Sequence, residues 1–325
     1  MRFKIGLAVA AVSAFLSHAA LAASFSEIVA FGDSLSDAGN ASIATLGAQP
    51  GPGYATRNVP LVPFPVGYFT NPQSGSGPAG LWVDQFAADI GVADPSPALA
   101  PLGGTNYAVG SATTATGLAS MQNQVGLFLT NTAGVAPSAA LYTFWGGAND
   151  ILGNLSPTAA ADNIAAQIAA VAGAGGHNFL WLNLPELGDI PELIGNPVLA
   201  AAVNAQSDAF NTEWAKDLAF LQSQGIDVTG VNINSLFGDI LANPAAYGLT
   251  NTASACDLTP GCDPNTFLYW DTEHPTTYAD SLVATFADQA LNPTPEPPSA
   301  VLAGIGCAGL LVLVMRKRSW PLARG

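Results

Sequence analysis

Three short stretches carry side chains able to do acyl-transfer chemistry. The first is FGDSLSDAGN, Phe31 to Asn40, in which Ser34 follows the apolar run Ile28 to Phe31. In an open parallel sheet a ligand lies beyond the carboxyl ends of the strands, where loops lead into helices. A serine at such a helix start has backbone N–H groups and the positive end of the helix dipole beside it, which suits a developing oxyanion. The same residue also reads as a plain helix N-cap, with Asp37 supplying negative charge to the first turn. The second stretch, YWDTEHP from Tyr269 to Pro275, tips the balance toward chemistry. Pro275 suits the first position of a helix and restricts His274 to an extended backbone, which holds the imidazole at a helix entrance. Asp271 can reach back to one ring nitrogen, fix the tautomer and leave a lone pair on the other to take a serine proton. Of the remaining histidines, His18 lies in the leader described below. His177 opens a candidate strand with no neighbouring acid and reads as a packing residue. The third stretch, GGAND, sets Asn149 just after a strand end, where its amide is a neutral hydrogen-bond donor. The plainer reading of Asn149 is a turn residue after Gly146 and Gly147.

The elements that must position these residues alternate along the chain. Strand-length apolar runs occur at Ser26 to Phe31, Asn106 to Val109, Ala140 to Trp145, His177 to Asn183 and Ile226 to Asn232. Helical patterns lie at Leu81 to Ile90, Leu118 to Thr130, Thr158 to Ala172 and Pro197 to Gln222, with Pro275 to Ala290 closing the domain. Several of the strands are apolar almost throughout, as expected when helices cover both faces of a parallel sheet. The alternation predicts a three-layer α/β/α fold. Gln49 to Gly80 is rich in Pro, Gly, Ser and Asn without a clear period, and reads as a long irregular insertion that walls a cleft or is merely a solvated excursion.

Both ends of the chain stand apart from this domain. Residues 1–23 carry Arg2 and Lys4, an apolar run and a small-residue stretch, the pattern of a secretory signal peptide rather than of a first transmembrane helix. Residues 24–292 form the candidate domain. Residues 293–325 begin with PTPEPPS, continue as an apolar run from Ala300 to Met315 and end in the basic group Arg316, Lys317 and Arg318. At about 1.5 Å per residue that run reaches roughly 24 Å, a marginal membrane span. The basic residues would stay on the cytoplasmic side and the domain outside. The tail resembles a PEP-CTERM sorting signal, which implies cleavage by a sorting peptidase and delivery to the envelope surface or exterior of a Gram-negative-type cell. A plain C-terminal membrane anchor is the alternative.

Between Glu27 and Glu296 the chain holds all 23 acidic residues against two basic ones, Arg57 and Lys216. Such a surface repels phosphate backbones and anionic headgroups, so no nucleic-acid partner is expected. Cys256 and Cys262 flank a Pro-Gly turn in CDLTPGC, and in an exported chain they are expected to form a disulfide worth about 2 kcal/mol by loop entropy. Free thiols are the alternative, and the stretch holds too few further ligands for a metal. No Walker-type loop, dinucleotide fingerprint or HExxH occurs, so no cofactor is expected.

Five blocks, FGDSLSDAGN, GGTNYAVGSAT, WGGANDIL, NLPELGDIP and WDTEHP, follow one another from Phe31 to Pro275. In this order they resemble the signature blocks of the GDSL, or SGNH, hydrolases. The resemblance implies a flavodoxin-like fold and ester hydrolysis through an acyl-enzyme, with Ser34 as nucleophile, His274 as general base and Asp271 as its orienter. It also implies an oxyanion hole made by the Ser34 N–H, the Ser111 N–H and the Asn149 side chain. Members of the family usually have two glycines where this chain has Gly110 and Ser111; serine resists the positive φ that glycine permits. Asp33 and Asp150, beside these residues, are read as loop-ordering acceptors of backbone N–H groups. The expected substrate is a lipid or small-molecule ester. Polysaccharide deacetylation, with Trp145, Tyr269 and Trp270 stacking on sugar, and acyl transfer to an alcohol use the same machinery. The rival from another class is a surface binding protein with an idle hydrolase fold.

Overall fold

IVAFG is buried at every position, and in the computed structural model, which describes residues 25–292, it forms strand β1 (Ile28–Gly32). The chain continues through a short helix α1 (Asn40–Ala44), strands β2 (Ala55–Arg57) and β3 (Val66–Tyr68), and helices α2 (Trp82–Asp89) and α3 (Met121–Asn131). Strand β4 (Leu141–Trp145) leads into α4 (Ala148–Leu152) and α5 (Pro157–Gly173), and β5 (Asn178–Leu182) into α6 (Pro197–Ser223). Strand β6 (Asp227–Val231) is followed by α7 (Ile233–Ala242), a small parallel pair of β7 (Asn251–Ala255) and β8 (Phe267–Tyr269), and the closing helix α8 (Thr277–Leu291). The signal peptide and the sorting tail expected from the sequence lie outside the described residues.

The central sheet is parallel, in the order β1-β4-β5-β6, with Ile28 opposite Leu141, Leu141 opposite Asn178 and Asn178 opposite Asp227. A further ribbon lines the free edge of β1. There the Ala30 N–H donates to the Thr105 carbonyl, and the N–H groups of Tyr107 and Val109 donate to the carbonyls of Ala30 and Gly32. The strand expected over Asn106 to Val109 is reduced to two bridges at Asn106, one to Ala30 and one to Pro97. The Asn106 side chain donates to the Ser36 carbonyl at 2.7 Å and accepts the Ala108 N–H at 3.1 Å, which ties the ribbon to the loop after β1. The chain thus runs first to one side of β1 and then, with β4, to the other. A crevice opens at such a switch, beyond the carboxyl ends of the strands.

Helix α2 packs on α8 and α8 on α7, while α3 packs on α5 and α5 on α6, so two helical layers enclose the sheet. The fold is the three-layer α/β/α arrangement of the flavodoxin type. Aromatic rings knit the sheet to the α3 side: Phe31 stacks on Phe144 at 4.9 Å between centroids and meets Phe128 edge-on at 5.6 Å. Helix starts follow their caps. Ser156 accepts the Ala159 N–H ahead of Pro157, and Asn196 accepts the Leu199 N–H ahead of Pro197.

The insertion from Gln49 to Gly80 is more ordered than its sequence suggests. It contains the antiparallel pair β2 and β3, with Ala55 opposite Tyr68, three residues each and too short to show a period. Arg57 pins it, bonding Asp84 at 2.5 Å and Asp94 at 3.0 Å with its guanidinium over the Tyr68 ring. At the far end of the sheet, Phe25, Leu291 and Asn292 share a small cavity with Leu141, Asn178 and Asp227, the first residues of β4, β5 and β6. Among the described residues no helix is long and apolar enough to cross a membrane.

Candidate active site

Ser34 sits in a tight turn directly after β1, closed by the Ser36 N–H donating to the Asp33 carbonyl at 3.1 Å. The helix expected at this point begins only at Asn40, so Ser34 is neither its N-cap nor at its positive end. Asp37 is the reason. Its carboxylate accepts the N–H groups of Gly39, Asn40 and Ala41 at 2.8, 2.5 and 3.0 Å, and a fourth from Gly110 at 2.7 Å ties it to the loop that carries Ser111.

His274 is likewise set back from its helix. Thr276 caps α8, while Pro275 bridges to Tyr269 and the His274 carbonyl accepts the Trp270 N–H at 2.8 Å. The bridge and that bond close a tight loop that presents both Asp271 and His274. The His274 Nε2 lies 2.8 Å from the Ser34 Oγ, and Nδ1 lies 2.7 Å from the Asp271 Oδ2. The other Asp271 oxygen accepts the N–H groups of Glu273 and His274 at 2.7 and 2.6 Å. His177, by contrast, precedes β5 at the amino end of the sheet and is exposed, so it faces away from Ser34 and is not the packing residue its sequence suggested.

Charge reinforces this geometry. Burial works to raise the Asp271 carboxyl, but the hydrogen bonds and charge of His274, joined by Tyr54, outweigh it and bring it down to about 2. Burial works to lower His274, yet Asp271 first, then Glu273 and Asp33, hold the imidazole above its ordinary value. Asp33 is buried, accepts the Leu35 N–H at 3.0 Å through one oxygen, and is pushed up to about 7 by that burial. Partial burial and then a hydrogen bond shared with Glu192 push Glu273 up to about 7 at the rim.

The candidate oxyanion donors are carried by the loops after β1 and after β4 and by the loop that follows the ribbon beside β1. Gly147, at φ +107°, turns the chain out of β4 and places Asn149 in the first turn of α4. The Asn149 amide donates one N–H to the Ala112 carbonyl at 3.0 Å, which leaves its second N–H for a ligand. Ser111 adopts φ +63°, the conformation that glycine favours. Among the described residues the N–H groups of Ser34 and Ser111 have no protein acceptor. Asp150 holds the same loop by accepting the Thr114 N–H and hydroxyl, both at 2.8 Å. Ser34, Asn149 and His274 line one cleft together with the apolar side chains of Leu152, Leu184, Leu187, Ile190 and Phe237.

Several residues around this site carried no recognisable sequence signal. Gln124 clamps the end of β1, accepting the Gly32 N–H at 3.0 Å and donating to the Gly32 carbonyl at 2.7 Å. Tyr54 donates to the Asp271 Oδ2 at 2.6 Å, and the Phe69 ring lies against His274 with centroids 5.2 Å apart. Only Gln124 left a trace, as a polar residue on the inward face of a helical pattern. Cys256 and Cys262 are bonded, their Cα atoms 5.6 Å apart, and the Cys256 and Asp257 N–H groups donate to the carbonyls of Tyr269 and Trp270.

Residues 28–286 match the model of the family described as GDSL-like Lipase/Acylhydrolase. Esterase EstA of Pseudomonas aeruginosa is 29% identical over 343 residues, covering 88% of this chain and 50% of the esterase. A protein of Pseudomonas putida described as an uncharacterized protein in the trpE-trpG intergenic region is 28% identical over 333 residues, covering 90% of this chain and 52% of its own length. The thermolabile hemolysin of Vibrio parahaemolyticus is 24% identical over 284 residues, covering 79% of this chain and 62% of the hemolysin. The chain spans about half the length of the first two.

Proposed function

The chain belongs to the GDSL-like lipase/acylhydrolase family, and we propose that it is an exported serine hydrolase of carboxylic esters, working through an acyl-enzyme. The observation that carries this reading is the continuous path from the Asp271 carboxylate through the His274 ring to the Ser34 hydroxyl, with contacts of 2.7 and 2.8 Å. In the proposed reaction the Ser34 Oγ attacks the ester carbonyl while the His274 Nε2 takes its proton. Asp271 stabilises the imidazolium through Nδ1, and the new oxyanion accepts hydrogen bonds from the N–H groups of Ser34 and Ser111 and the amide of Asn149. The alcohol leaves with the proton from His274, and water then repeats the sequence to release the acid. No step calls for a metal or cofactor.

The apolar lining of the cleft favours a lipid or small-molecule ester over an acetylated polysaccharide. Trp145 and Tyr269 line the cleft but are buried in the core, which leaves them poorly placed to stack on a sugar. Relatives named as esterases support the same reaction class. Export and sorting are part of the proposal and rest on the leader at 1–23 and the tail at 293–325, with the inner membrane as a transient anchor and the envelope surface or exterior as destination. The test is turnover of a short p-nitrophenyl ester beside labelling with a serine-reactive fluorophosphonate. Wild type should do both and Ser34→Ala neither. Equal turnover by the two proteins would remove Ser34 as nucleophile, and a wild type that stays unlabelled and inactive would indicate an idle fold.

A further inference from the structure

We propose, resting on the hydrolase reading above, that Tyr54 is a positioning residue of the site: its hydroxyl shares one Asp271 oxygen with His274 and thereby tempers the acid's grip on the imidazole. The Asp271 Oδ2 accepts two hydrogen bonds, from the His274 Nδ1 at 2.7 Å and from the Tyr54 hydroxyl at 2.6 Å. With two backbone N–H groups on Oδ1, the carboxylate has four donors for roughly four lone-pair positions. Tyr54 therefore completes the carboxylate's coordination and stops it rotating away from the ring. It also draws electron density from the very oxygen that stabilises the imidazolium.

The phenol reaches Asp271 across 217 positions of chain because the insertion is lashed along the whole acid-histidine loop. The Tyr54 ring meets Phe69 edge-on at 6.4 Å and Trp270 at 6.5 Å, and Phe69 in turn lies against His274. Beyond it, Thr70 donates to the Pro275 carbonyl at 3.1 Å, and the Asn71 side chain accepts the Thr277 N–H at 2.8 Å. Burial and then the bond to Asp271 push the phenol above its ordinary range, so it stays a proton donor at any working pH. The other charged groups around the pair are Glu273 on the same loop, Asp33 after β1 and Asp257 after β7, with Glu192 facing Glu273 and Asp150 facing Asp33. The Tyr54 hydroxyl bonds Asp271 and none of these other acids.

Tyr54→Phe keeps the ring and removes the shared bond. The Asp271 Oδ2 then serves His274 alone, the imidazolium is held more firmly, and the base needs a higher pH to be free. Two readouts test this: the pH profile of kcat/KM on the p-nitrophenyl ester, and the NMR titration of the His274 imidazole, assigned against His274→Asn. Tyr54→Phe should move the acid limb and the imidazole midpoint to higher pH together, with several-fold lost activity near about pH 6 closing to about twofold near about pH 9. A purely structural role would lower the whole profile without moving its midpoint, and that result overturns the proposal. Should Tyr54→Phe fail to fold, 3-fluorotyrosine at position 54 keeps ring and hydroxyl and donates more strongly. It should move both midpoints to lower pH, and unmoved midpoints would again overturn the proposal. Because the titration needs no turnover, it decides the role of Tyr54 even if the ester assay and the phosphonate label were to fail.

Discussion

Ser111 holds a conformation, φ +63°, that crowds its Cβ against its own backbone and costs about 1 kcal/mol or more. Its side chain is exposed and contributes no packing to offset that cost. The neighbours pay for the position instead: Asp37 holds Gly110, and Asn149 holds Ala112, on either side of it. Ser111→Gly is expected to change stability by no more than about 1 kcal/mol, because relief of the crowding is opposed by the entropy of glycine in the unfolded chain. Ser111→Val, with a branched Cβ at the same φ, should lose about 1–3 kcal/mol and, if turnover uses the proposed oxyanion donor, slow it as that N–H shifts. Urea titration beside the ester assay checks both, and a valine variant with wild-type midpoint and rate would show that the loop does not need this conformation.

At the scale of elements, the site depends on three loops meeting around one aromatic ring. Phe69 fills the space between His274 and Gly110, and a Cβ built on Gly110 would come within 2.5 Å of the Phe69 Cζ. Gly110→Ala therefore cannot be accommodated without pushing Phe69 against the imidazole. Overpacking of this kind costs about 1–3 kcal/mol, and the displaced ring should cut kcat at least about tenfold. Adding Phe69→Leu to the same chain makes room and should recover part of the loss; a Gly110→Ala protein with wild-type kcat would show that the ring is not held in place. None of this was legible in the sequence, because contacts between residues far apart in the chain leave no local period. What was legible had local causes. Ser156 with Pro157 and Asn196 with Pro197 announce α5 and α6, and the apolar runs announce β1, β4, β5 and β6. Helix α7 is less legible: Ile233, Leu236, Phe237 and Ile240 form a buried face at helical spacing, but Asn234, Ser235 and Gly238 weaken its propensity. Ser34, Asn149, Asp271 and His274 could be picked out by type and order. The places of Ser34 and His274 relative to their helices could not, since Asp37 binds the first N–H groups of α1 and Thr276 caps α8.

For the molecule as a whole, the dominant electrostatic fact is the number of buried acids. Burial pushes Asp33 up to about 7 and Asp37 up to about 6, and Glu273 is raised to about 7 by burial and then Glu192. Each binds a proton in the folded state at pH values where the unfolded chain, with carboxyls near about 4, has already lost it. Stability therefore falls as pH rises through that window. His274, held above its ordinary value, acts in the same direction, its contribution being lost as pH rises through its folded value. Asp271, held at about 2, acts the opposite way and withdraws its contribution only as pH falls from about 4 toward 2. The melting temperature should peak near about pH 4 and decline toward pH 8, and thermal scans by circular dichroism across that range check it. A melting temperature that climbs between those values would contradict the protonation states assigned to Asp33 and Glu273.

Phe25 and Asn292 lie together against the amino ends of β4, β5 and β6, at the opposite end of the sheet from Ser34. Whatever is joined at either point grips the domain by its base. A bead or fused protein attached at that end is expected to leave the cleft open to solvent.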